Sequence, residues 1–425
     1  MMRSDFKLST KLLHAGQEKS WQARTRAVPI YQTGSYIFQD SDQAARAFNL
    51  EVEDHLYGRM SNPTAETLEK KIAAMDNGKT AVAFSSGMAA ISNTILNICK
   101  QGDNIVSSQS LYGGTRVLFD RALRELGIKC HFVDNQDLNA LEAAVSENNA
   151  KLFFTEGIGN PKNDLPDFDG VARICQQYQV PFIIDNTLTP GLIDPSRYGI
   201  DIVIYSLSKY ISGHGTVIGG IVVDMGHFNW QNARYPFFTE PDPSYNNKVF
   251  AEEEAPFSLR LRGHMLRNFG APLRPLEAFL SIIGLETLPL RMERICATAN
   301  TLATRLLDTK GVEWVNYPGV GIGSEAGKRL HYFNGKGGGI TCFGLGSAGR
   351  SKKFADSLKI ITHMANMGDV RTLIQHCAST SHAQLSENEL IEGGIKPDLL
   401  RLSVGLEDVE DLWEDILTAL ARVAN

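Results

Sequence analysis

Residues 181–223 read PFIIDNTLTPGLIDPSRYGIDIVIYSLSKYISGHGTVIGGIVV and contain three short apolar runs separated by turn formers. The first run ends in Asp185. The second, DIVIY at 201–205, leads directly into Ser-Leu-Ser-Lys, whose lysine is Lys209. Short β-branched and aromatic runs bounded by Gly, Pro and Asp predict buried strands. The stretch therefore predicts neighbouring strands of a sheet that is covered on both faces, with polar side chains at the strand ends.

The same pattern of short apolar runs separated by turn formers continues from this stretch towards the N-terminus. Further strand candidates are TAVAF (80–84), NIVSS (104–108), KCHFV (129–133) and KLFFT (151–155). Helical spacing of apolar residues occurs over 65–75, 115–126, 138–147 and 169–179. Short apolar strands that alternate with helices are typical of an α/β fold, in which a mostly parallel sheet carries helices on both faces.

The chain of 425 residues is long enough for two or three domains. Residues 1–63 are irregular and rich in turn formers, and we interpret them as an N-terminal arm. Residues 64–275 hold the alternating pattern of the α/β domain. The rhythm then changes to a long helical segment, interrupted at Pro289, and to mixed strand and helix patterns. We interpret residues 276–425 as a smaller α+β C-terminal domain.

Charge and cysteine usage exclude several classes of function. Lys plus Arg number 42 and Asp plus Glu 48, a net charge of −6 without a basic block, which disfavours nucleic-acid binding. No apolar run reaches membrane-spanning length, and the N-terminus lacks the apolar core of a secretory signal. The six cysteines form no CxxC pair and the histidines no HExxH, so we expect free thiols in a cytoplasmic protein and no metal site.

Lys209 follows the second apolar run and is flanked by Ser206 and Ser208. Open α/β sheets bind ligands just beyond the carboxyl ends of their parallel strands. A lysine that forms a Schiff base must first lose its proton, which calls for a lowered pKa. Neighbouring hydroxyl groups can hold a phosphate. Taken alone, Ser-x-Ser-Lys also fits an ordinary surface lysine in a turn.

Three other segments place complementary chemistry at strand ends. FSSGMAA (84–90) predicts a strand-to-helix turn whose free N–H groups attract phosphate. Asp185 can pair with a pyridinium nitrogen, and Tyr112 in SLYGGT can stack on a ring. Singly, these residues also fit a turn, a helix cap and a core position. Together with Lys209 they predict a pyridoxal-phosphate (PLP) enzyme that holds its cofactor as a Schiff base on that lysine.

These residues resemble the cysteine/methionine-metabolism family of PLP enzymes, and the resemblance covers nearly the whole chain. The family includes cystathionine γ-synthase, cystathionine γ-lyase, methionine γ-lyase and the O-acylhomoserine sulfhydrylases. Two motifs depart from the commoner forms, since YGR (57–59) replaces YSR and SLSK (206–209) replaces SATK, but both keep phosphate-binding groups. The resemblance implies PLP fold type I and a homotetramer of tight dimers, with active sites shared across the dimer.

The resemblance also implies a phosphate site built from two chains. Tyr57 and Arg59 are expected to reach the PLP phosphate of the partner subunit. The groups implied to hold the phosphate within one chain are the helix-turn residues and two hydroxyls, namely Ser86, Gly87, Met88, Ser206 and Ser208.

The remaining implied roles concern the ring and the substrate. Tyr112 is expected to stack on the ring and to assist proton transfer or departure of the leaving group. Asp185 is expected to pair with the ring nitrogen, and Asn160 to lie near the ring hydroxyl. Arg401, in RLSVGLE, is expected to clamp the substrate carboxylate with its bidentate fork. Asn366, in MANMGD, is expected to contact the same carboxylate.

Several stretches look most like those of the sulfhydrylases. They are EGIGNPK, SGHGTVIGG, FTEPDPSYN, GLETLPLRMER, MANMGD and STSHAQLSE. The implied reaction is a γ-replacement that converts O-acetylhomoserine and sulfide to homocysteine and acetate, in methionine biosynthesis. Cystathionine γ-synthase and O-succinylhomoserine sulfhydrylase activities are the alternatives. Methionine γ-lyase is disfavoured because those lyases usually carry cysteine at the position of Gly114. Sulfide, cysteine and a sulfur-carrier protein all remain open as the sulfur donor.

Two competing classes can be weighed against this interpretation. A non-catalytic PLP-binding protein would not need the full set of Lys209, Tyr112 and Arg401. A nicotinamide-dependent dehydrogenase would share the α/β pattern, but no GxGxxG follows the first strand of the sheet. The long segment 225–262 fits either a lid over the site or ordinary surface packing.

Overall fold

The computed structural model describes residues 6–17, 25–52, 54–322, 325–383, 390 and 393–423. Its larger sheet has seven strands, which are β1 (Thr80–Phe84), β2 (Asn104–Ser108), β3 (Lys129–Val133), β4 (Phe153–Glu156), β5 (Phe182–Asp185), β6 (Ile202–Ser206) and β7 (Gly220–Asp224). They are arranged in the order β1-β7-β6-β5-β4-β2-β3. The expected α/β class with a mostly parallel sheet is confirmed.

Helices cover both faces of this sheet. The helices that precede β7 in the chain are α1 (Leu8–His14), α2 (Ser41–Phe48), α3 (Pro63–Asp76), α4 (Gly87–Ile98), α5 (Gly113–Val117), α6 (Leu123–Glu125), α7 (Leu138–Glu147) and α8 (Phe168–Tyr178). A π-helical turn over Leu118–Ala122 joins α5 to α6. Phe153 and Phe154 are adjacent in β4 and fully buried, yet each belongs to a different hydrophobic cluster. Both faces of the sheet are therefore packed, as a continuous apolar strand requires.

One strand of the larger sheet runs against the others. β7 pairs antiparallel with both β1 and β6, with Ser206 opposite Gly220. The connection over residues 207–219 contains no helix, so the chain turns back instead of crossing over. Because β7 is antiparallel to both of its neighbours, β1 and β6 point the same way.

The C-terminal part forms a second sheet against a long helical pair. The helices after β7 are α9 (Pro236–Thr239), α10 (Pro256–Arg260), α11 (Pro275–Glu286), α12 (Leu288–Leu307), α13 (Ala326–Phe333), α14 (Ala348–Ser357) and α15 (Val409–Val423). The strands are β8 (Trp314–Tyr317), β9 (Val320–Gly321), β10 (Ile340–Gly344), β11 (Thr362–His363), β12 (Leu373–His376) and β13 (Leu399–Ser403), in the order β11-β12-β13-β10-β8-β9. The predicted interruption lies at Thr287, so Pro289 falls in the first turn of α12, where its missing N–H is tolerated.

The described part of the N-terminal arm is more regular than its composition predicts. It contains α1 and α2, and the buried Lys71 of α3 donates from Nζ to the carbonyl of Leu12, 2.7 Å away. The expectation of an irregular arm is wrong for these two segments, because α1 is held by tertiary contacts with α3. Residues 1–5 and 18–24 of the arm, and 384–387 of the STSHAQLSE stretch, lie outside the described residues.

The segment 225–262 packs on one face of the larger sheet. Most of its aromatic side chains are buried, and the Trp230 ring centroid lies 4.2 Å from that of Phe238. These side chains join the cluster that contains Phe154. The packing interpretation of this segment is therefore favoured over a mobile lid. Within the described ranges, no helix has the length and apolar character needed to cross a membrane.

Candidate active site

The carboxyl ends of six strands lie at one edge of the larger sheet. The strands from β1 to β6 are parallel to one another, so the residues that follow them emerge on the same side. We call this the Lys209 edge, and it consists of these strand ends with the turns that follow them. It is the region where open α/β sheets bind ligands.

The first helix turn after β1 lies against Ser206, the last residue of β6. Ser86 caps α4, because its Oγ accepts a hydrogen bond from the Ala89 N–H at 3.0 Å. A Cβ atom added to Gly87 would come within 3.0 Å of the Ser206 Cβ, so glycine allows this close approach. Met88 packs partly buried against the core beside them. The N-terminal N–H groups of α4 and a serine hydroxyl thus share one small region, a donor set suited to phosphate.

Lys209 lies half-buried just past this turn. Its Nζ donates to Oδ1 of Asn366 at 2.5 Å. Burial, and then the nearby charge of Arg401, lower the pKa of Lys209 to about 8. A substantial neutral fraction is therefore present near physiological pH, as nucleophilic attack on an aldehyde requires. The other flanking serine, Ser208, accepts from the Gly219 N–H at 3.1 Å and so fixes the loop after the lysine.

Asp185 is the last residue of β5, which lies next to β6, the strand that precedes Lys209. One of its carboxylate oxygens accepts from the Thr187 N–H at 3.0 Å, and Thr187 Oγ1 accepts from the Ser206 N–H at 2.8 Å. Burial raises the pKa of Asp185, and the hydrogen bonds from Thr187 oppose that rise. No Lys, Arg or His of the described chain forms an ion pair with this carboxyl group. A protonated ring nitrogen would supply the missing cation, so Asp185 fits a pyridinium partner.

Arg401 is buried on β13 among neutral acceptors. Its Nη1 donates to Asn160 Oδ1 at 3.1 Å, and its Nη2 donates to Gln375 Oε1 at 2.5 Å and to the Asn366 carbonyl at 3.3 Å. Its Nε has no hydrogen-bond partner in the described part of the chain. A buried guanidinium without a carboxylate is costly unless an anion joins it. The arrangement therefore suits a substrate carboxylate.

Tyr112 occupies the turn after β2, at the start of α5. Its side chain is 43% exposed, and its N–H donates to the buried Glu156 carboxyl group, 2.5 Å from Oε1. A Cβ atom added to Gly114 would lie 2.6 Å from the Tyr112 ring. The ring in this position thus leaves no room for the cysteine expected of a methionine γ-lyase.

Two of the expected cofactor residues, Tyr57 and Arg59, have their described side-chain contacts elsewhere. Tyr57 is half exposed and Arg59 is exposed. The Arg59 guanidinium lies 5.5 Å from the Tyr57 ring centroid and donates from Nη1 to the carbonyl of Arg267. The hydrogen bonds of the described residues do not join either side chain to Lys209.

Three site residues carry no role in the sequence-based prediction. Thr187 binds Asp185, Glu156 binds the Tyr112 turn, and Gln375 binds Arg401. The first two stand within quoted motifs, PFIIDNT and EGIGNP, so a strand-end rule would have found them. Gln375 has no motif, and only its register opposite Arg401 in the second sheet identifies it.

The fold and this edge define a class of protein, the PLP-dependent enzymes of fold type I. The family model described as Cys/Met metabolism PLP-dependent enzyme matches residues 9–421. The chain belongs to this family, and the expected resemblance and cofactor are confirmed.

Individual relatives agree over almost the full length. An O-acetyl-L-homoserine sulfhydrylase from Leptospira meyeri is 42% identical, over 99% of this chain and 98% of the relative. A homocysteine synthase from Schizosaccharomyces pombe is 42% identical over 97% of each chain. A crystal structure from Campylobacter jejuni, assigned as an O-acetylhomoserine (thiol)-lyase and carrying N'-pyridoxyl-lysine-5'-monophosphate, is 35% identical with a TM-score of 0.95, covering 98% of this chain and 100% of the other.

Proposed function

We propose that the protein is a PLP-dependent O-acetylhomoserine sulfhydrylase, which converts O-acetylhomoserine and sulfide to homocysteine and acetate. The observation that carries this proposal is the link from Lys209 through Asn366 to Arg401, with contacts of 2.5 and 3.3 Å. An α-amino acid bears its amine and carboxylate on one carbon atom. A reactive lysine and a carboxylate-binding arginine that share one contact residue suit that substrate class. The names of the full-length relatives support the particular ester and product.

Arg401 would bind and orient the substrate carboxylate. Its acceptors among the described residues are all neutral, so its positive charge stays available for the substrate. Asn366 would contact the same carboxylate once Lys209 is joined to the cofactor. Anchoring the carboxylate at one end and the phosphate at the other fixes the Cα–H bond relative to the lysine, which is the main contribution of orientation.

Lys209 would then move the protons. Once free of the cofactor, its Nζ would accept the Cα proton and pass it on to the bound cofactor. The amine would then be neutral again and could accept a proton from Cβ. Bound PLP supplies a ring that withdraws electrons from these carbon atoms. Asp185 would hold the ring nitrogen protonated, and Asn160 would lie near the ring hydroxyl. The phosphate would be bound by the α4 turn, from Ser86 to Met88, and by the hydroxyls of Ser206 and Ser208.

Tyr112 would stack on the ring and assist departure of the acetate. Its side chain is exposed to solvent, so the γ-substituent would find space beside it. Loss of acetate would open the γ-carbon to the sulfur nucleophile, and the sulfide sulfur would form the new C–S bond. Lys209 Nζ would return its proton to Cβ and then carry the proton left with the cofactor back to Cα before homocysteine leaves.

The assembly and location belong to the same proposal. We infer a homotetramer of dimers, in which the arm over 1–63 contacts the partner subunit and brings Tyr57 and Arg59 to its phosphate. Residues 64–275 would form the PLP-binding domain and 276–425 the C-terminal domain. The exposure of Tyr57 and of Ile37 supports a covered arm. The six unpaired cysteines support a cytoplasmic location.

A kinetic panel tests the activity. Purified protein is supplied with O-acetylhomoserine or O-succinylhomoserine, each with sulfide or cysteine, and homocysteine, cystathionine and the released acid are measured. We expect the fastest turnover with the acetyl ester and sulfide. Absence of homocysteine from that pair contradicts the proposal. A preference for the succinyl ester, or for cysteine, would instead identify one of the two alternative activities, and a need for added protein would point to a sulfur carrier.

A further inference from the structure

Glu156 is a buried acid at the Lys209 edge that has no assigned role. It is the last residue of β4 and lies in register with Asp185 of β5. Its side chain is only 5% exposed. One carboxyl oxygen accepts from the Tyr112 N–H at 2.5 Å, and the backbone of Asn160 also donates to the group. Two strand-end turns, one after β2 and one after β4, therefore meet at this one side chain.

We propose that Glu156 is a positioning residue, which ties the turns of Tyr112 and Asn160 together and so sets the angle of the Tyr112 ring over the cofactor. This inference rests on the proposed position of that ring. The Tyr112 side chain is too exposed for packing alone to fix it, so its backbone anchor matters. Asn160 in turn contacts Arg401, which connects the anchor to the substrate side.

The charge state of Glu156 fits a role as a hydrogen-bond acceptor. In the described ranges it forms no ion pair with Lys, Arg or His. Burial, and then the charge of Asp185, raise the pKa of Glu156 well above its ordinary value. Two neighbouring carboxyl groups repel each other when both are ionised, so only one of the two needs to carry the charge. Asp185 can then carry the one negative charge, while Glu156 stays neutral and holds the turns.

A comparable, half-buried acid at the opposite edge of the sheet provides a control. Asp201, just before β6, accepts from the Phe182 N–H at 2.8 Å, and burial raises its pKa to about 7. It thus performs the same kind of backbone capping, away from the Lys209 edge. Asp201→Asn is expected to alter the melting temperature without altering the environment of the cofactor.

The test compares Glu156→Gln and Glu156→Ala in the holoenzyme. The readouts are the circular dichroism of the visible cofactor band, the melting temperature, and kcat and KM separately. The amide keeps the acceptor for Tyr112, so we expect its dichroism to stay close to wild type and kcat/KM to fall by less than about fivefold. The alanine variant should lose more than about half of the dichroism and about 100-fold in kcat/KM, mainly in kcat, because the ring is misplaced.

Three outcomes of this test would overturn the inference. Wild-type dichroism and kcat in Glu156→Ala overturn the inference, and so does a glutamine variant as impaired as the alanine variant. If Glu156→Ala does not fold, Glu156→Asp replaces it, because aspartate keeps the acid but withdraws its oxygen atoms by one methylene. Wild-type dichroism in that variant likewise overturns the inference. The dichroism requires no substrate, so a wild-type enzyme that formed no homocysteine would contradict the proposed function and leave this test valid.

Discussion

The Lys209 edge and the YGR stretch at 57–59 both hold residues that are expected to bind the cofactor, but they differ in burial and in their contacts. At the edge, polar groups are buried or half-buried and joined by short contacts, from Lys209 through Asn366 to Arg401. In the YGR stretch, Tyr57 and Arg59 lie exposed and contact each other and a backbone carbonyl. Neighbouring strand ends bring residues together within one chain, whereas no described hydrogen bond joins the YGR stretch to Lys209, and we propose that a second chain receives it.

Replacing the lysine should have the largest effect. Lys209→Ala removes both the proposed anchor of the cofactor and the base, so turnover should fall at least about 1,000-fold. The visible absorption band of the lysine-linked cofactor should disappear. Lys129→Ala, at an exposed lysine of β3, is the matched control and should keep both. A Lys209→Ala protein that kept the visible band would show that the cofactor is joined elsewhere.

Replacing the carboxylate clamp should have the next largest effect. Arg401→Lys keeps the charge but loses the planar fork, so kcat/KM should fall about 100-fold, mainly through KM. Arg305→Lys is the control. It alters an exposed, bidentate ion pair with Glu410 and should leave the kinetics unchanged. Initial rates over a range of ester concentrations check this prediction. An unchanged KM in Arg401→Lys would contradict the assigned role.

The YGR stretch gives a smaller effect and the sharpest contrast. Arg59→Ala should weaken cofactor binding about tenfold, because one charged contact to the phosphate is lost. Co-expression with Lys209→Ala should restore about a quarter of wild-type activity, since mixed dimers contain one site with neither substitution. Differently tagged chains allow the mixed species to be isolated. No recovery in mixed dimers would mean that Arg59 serves its own chain or none.

The smallest effect is a shift with pH. The pKa of Lys209, lowered from 10.5 to about 8, predicts that the rate of cofactor uptake by the cofactor-free protein rises with a midpoint near pH 8. The unfolded chain holds this proton more tightly. Protonation of Lys209 therefore lowers the free energy of unfolding below pH 8, and this penalty is relieved as pH rises towards 10.5.

Two variants sharpen this pH prediction. Arg401→Gln removes the second cause of the lowered pKa, so the midpoint should move upward, while burial keeps it below 10.5. Arg59→Ala should leave the midpoint unchanged, because Arg59 has no contact with Lys209 among the described hydrogen bonds. Stopped-flow absorbance at several pH values checks both. An equal shift in the two variants would mean that the edge and the YGR stretch are coupled within one chain.

Much of the fold could be predicted because strand and helix periods are local. β1, β2 and β3 begin and end at the predicted residues, and β5 starts one residue late because Pro181 cannot donate to the sheet. The antiparallel direction of β7 could not be predicted, since its apolar run reads the same in either direction. Only the absence of a helix over 207–219 indicates it.

The residues of the candidate site also differ in whether the local sequence predicts them. Residues at strand ends, such as Asp185 and Lys209, are predictable because parallel strands end at one edge. The contact of Asn366 with Lys209 spans 157 positions, and that of Asn160 with Arg401 spans 241. No local pattern encodes such distances, so the family resemblance had to supply these residues. It did not supply Gln375, which touches Arg401 from the neighbouring strand.

The most direct test is reductive trapping of the holoenzyme with borohydride, followed by proteolysis and mass spectrometry. We predict one pyridoxyl-phosphate label per chain, on the peptide that contains SLSKYISGH and at Lys209 itself. A label on any other lysine, or no covalent label at all, would contradict the account.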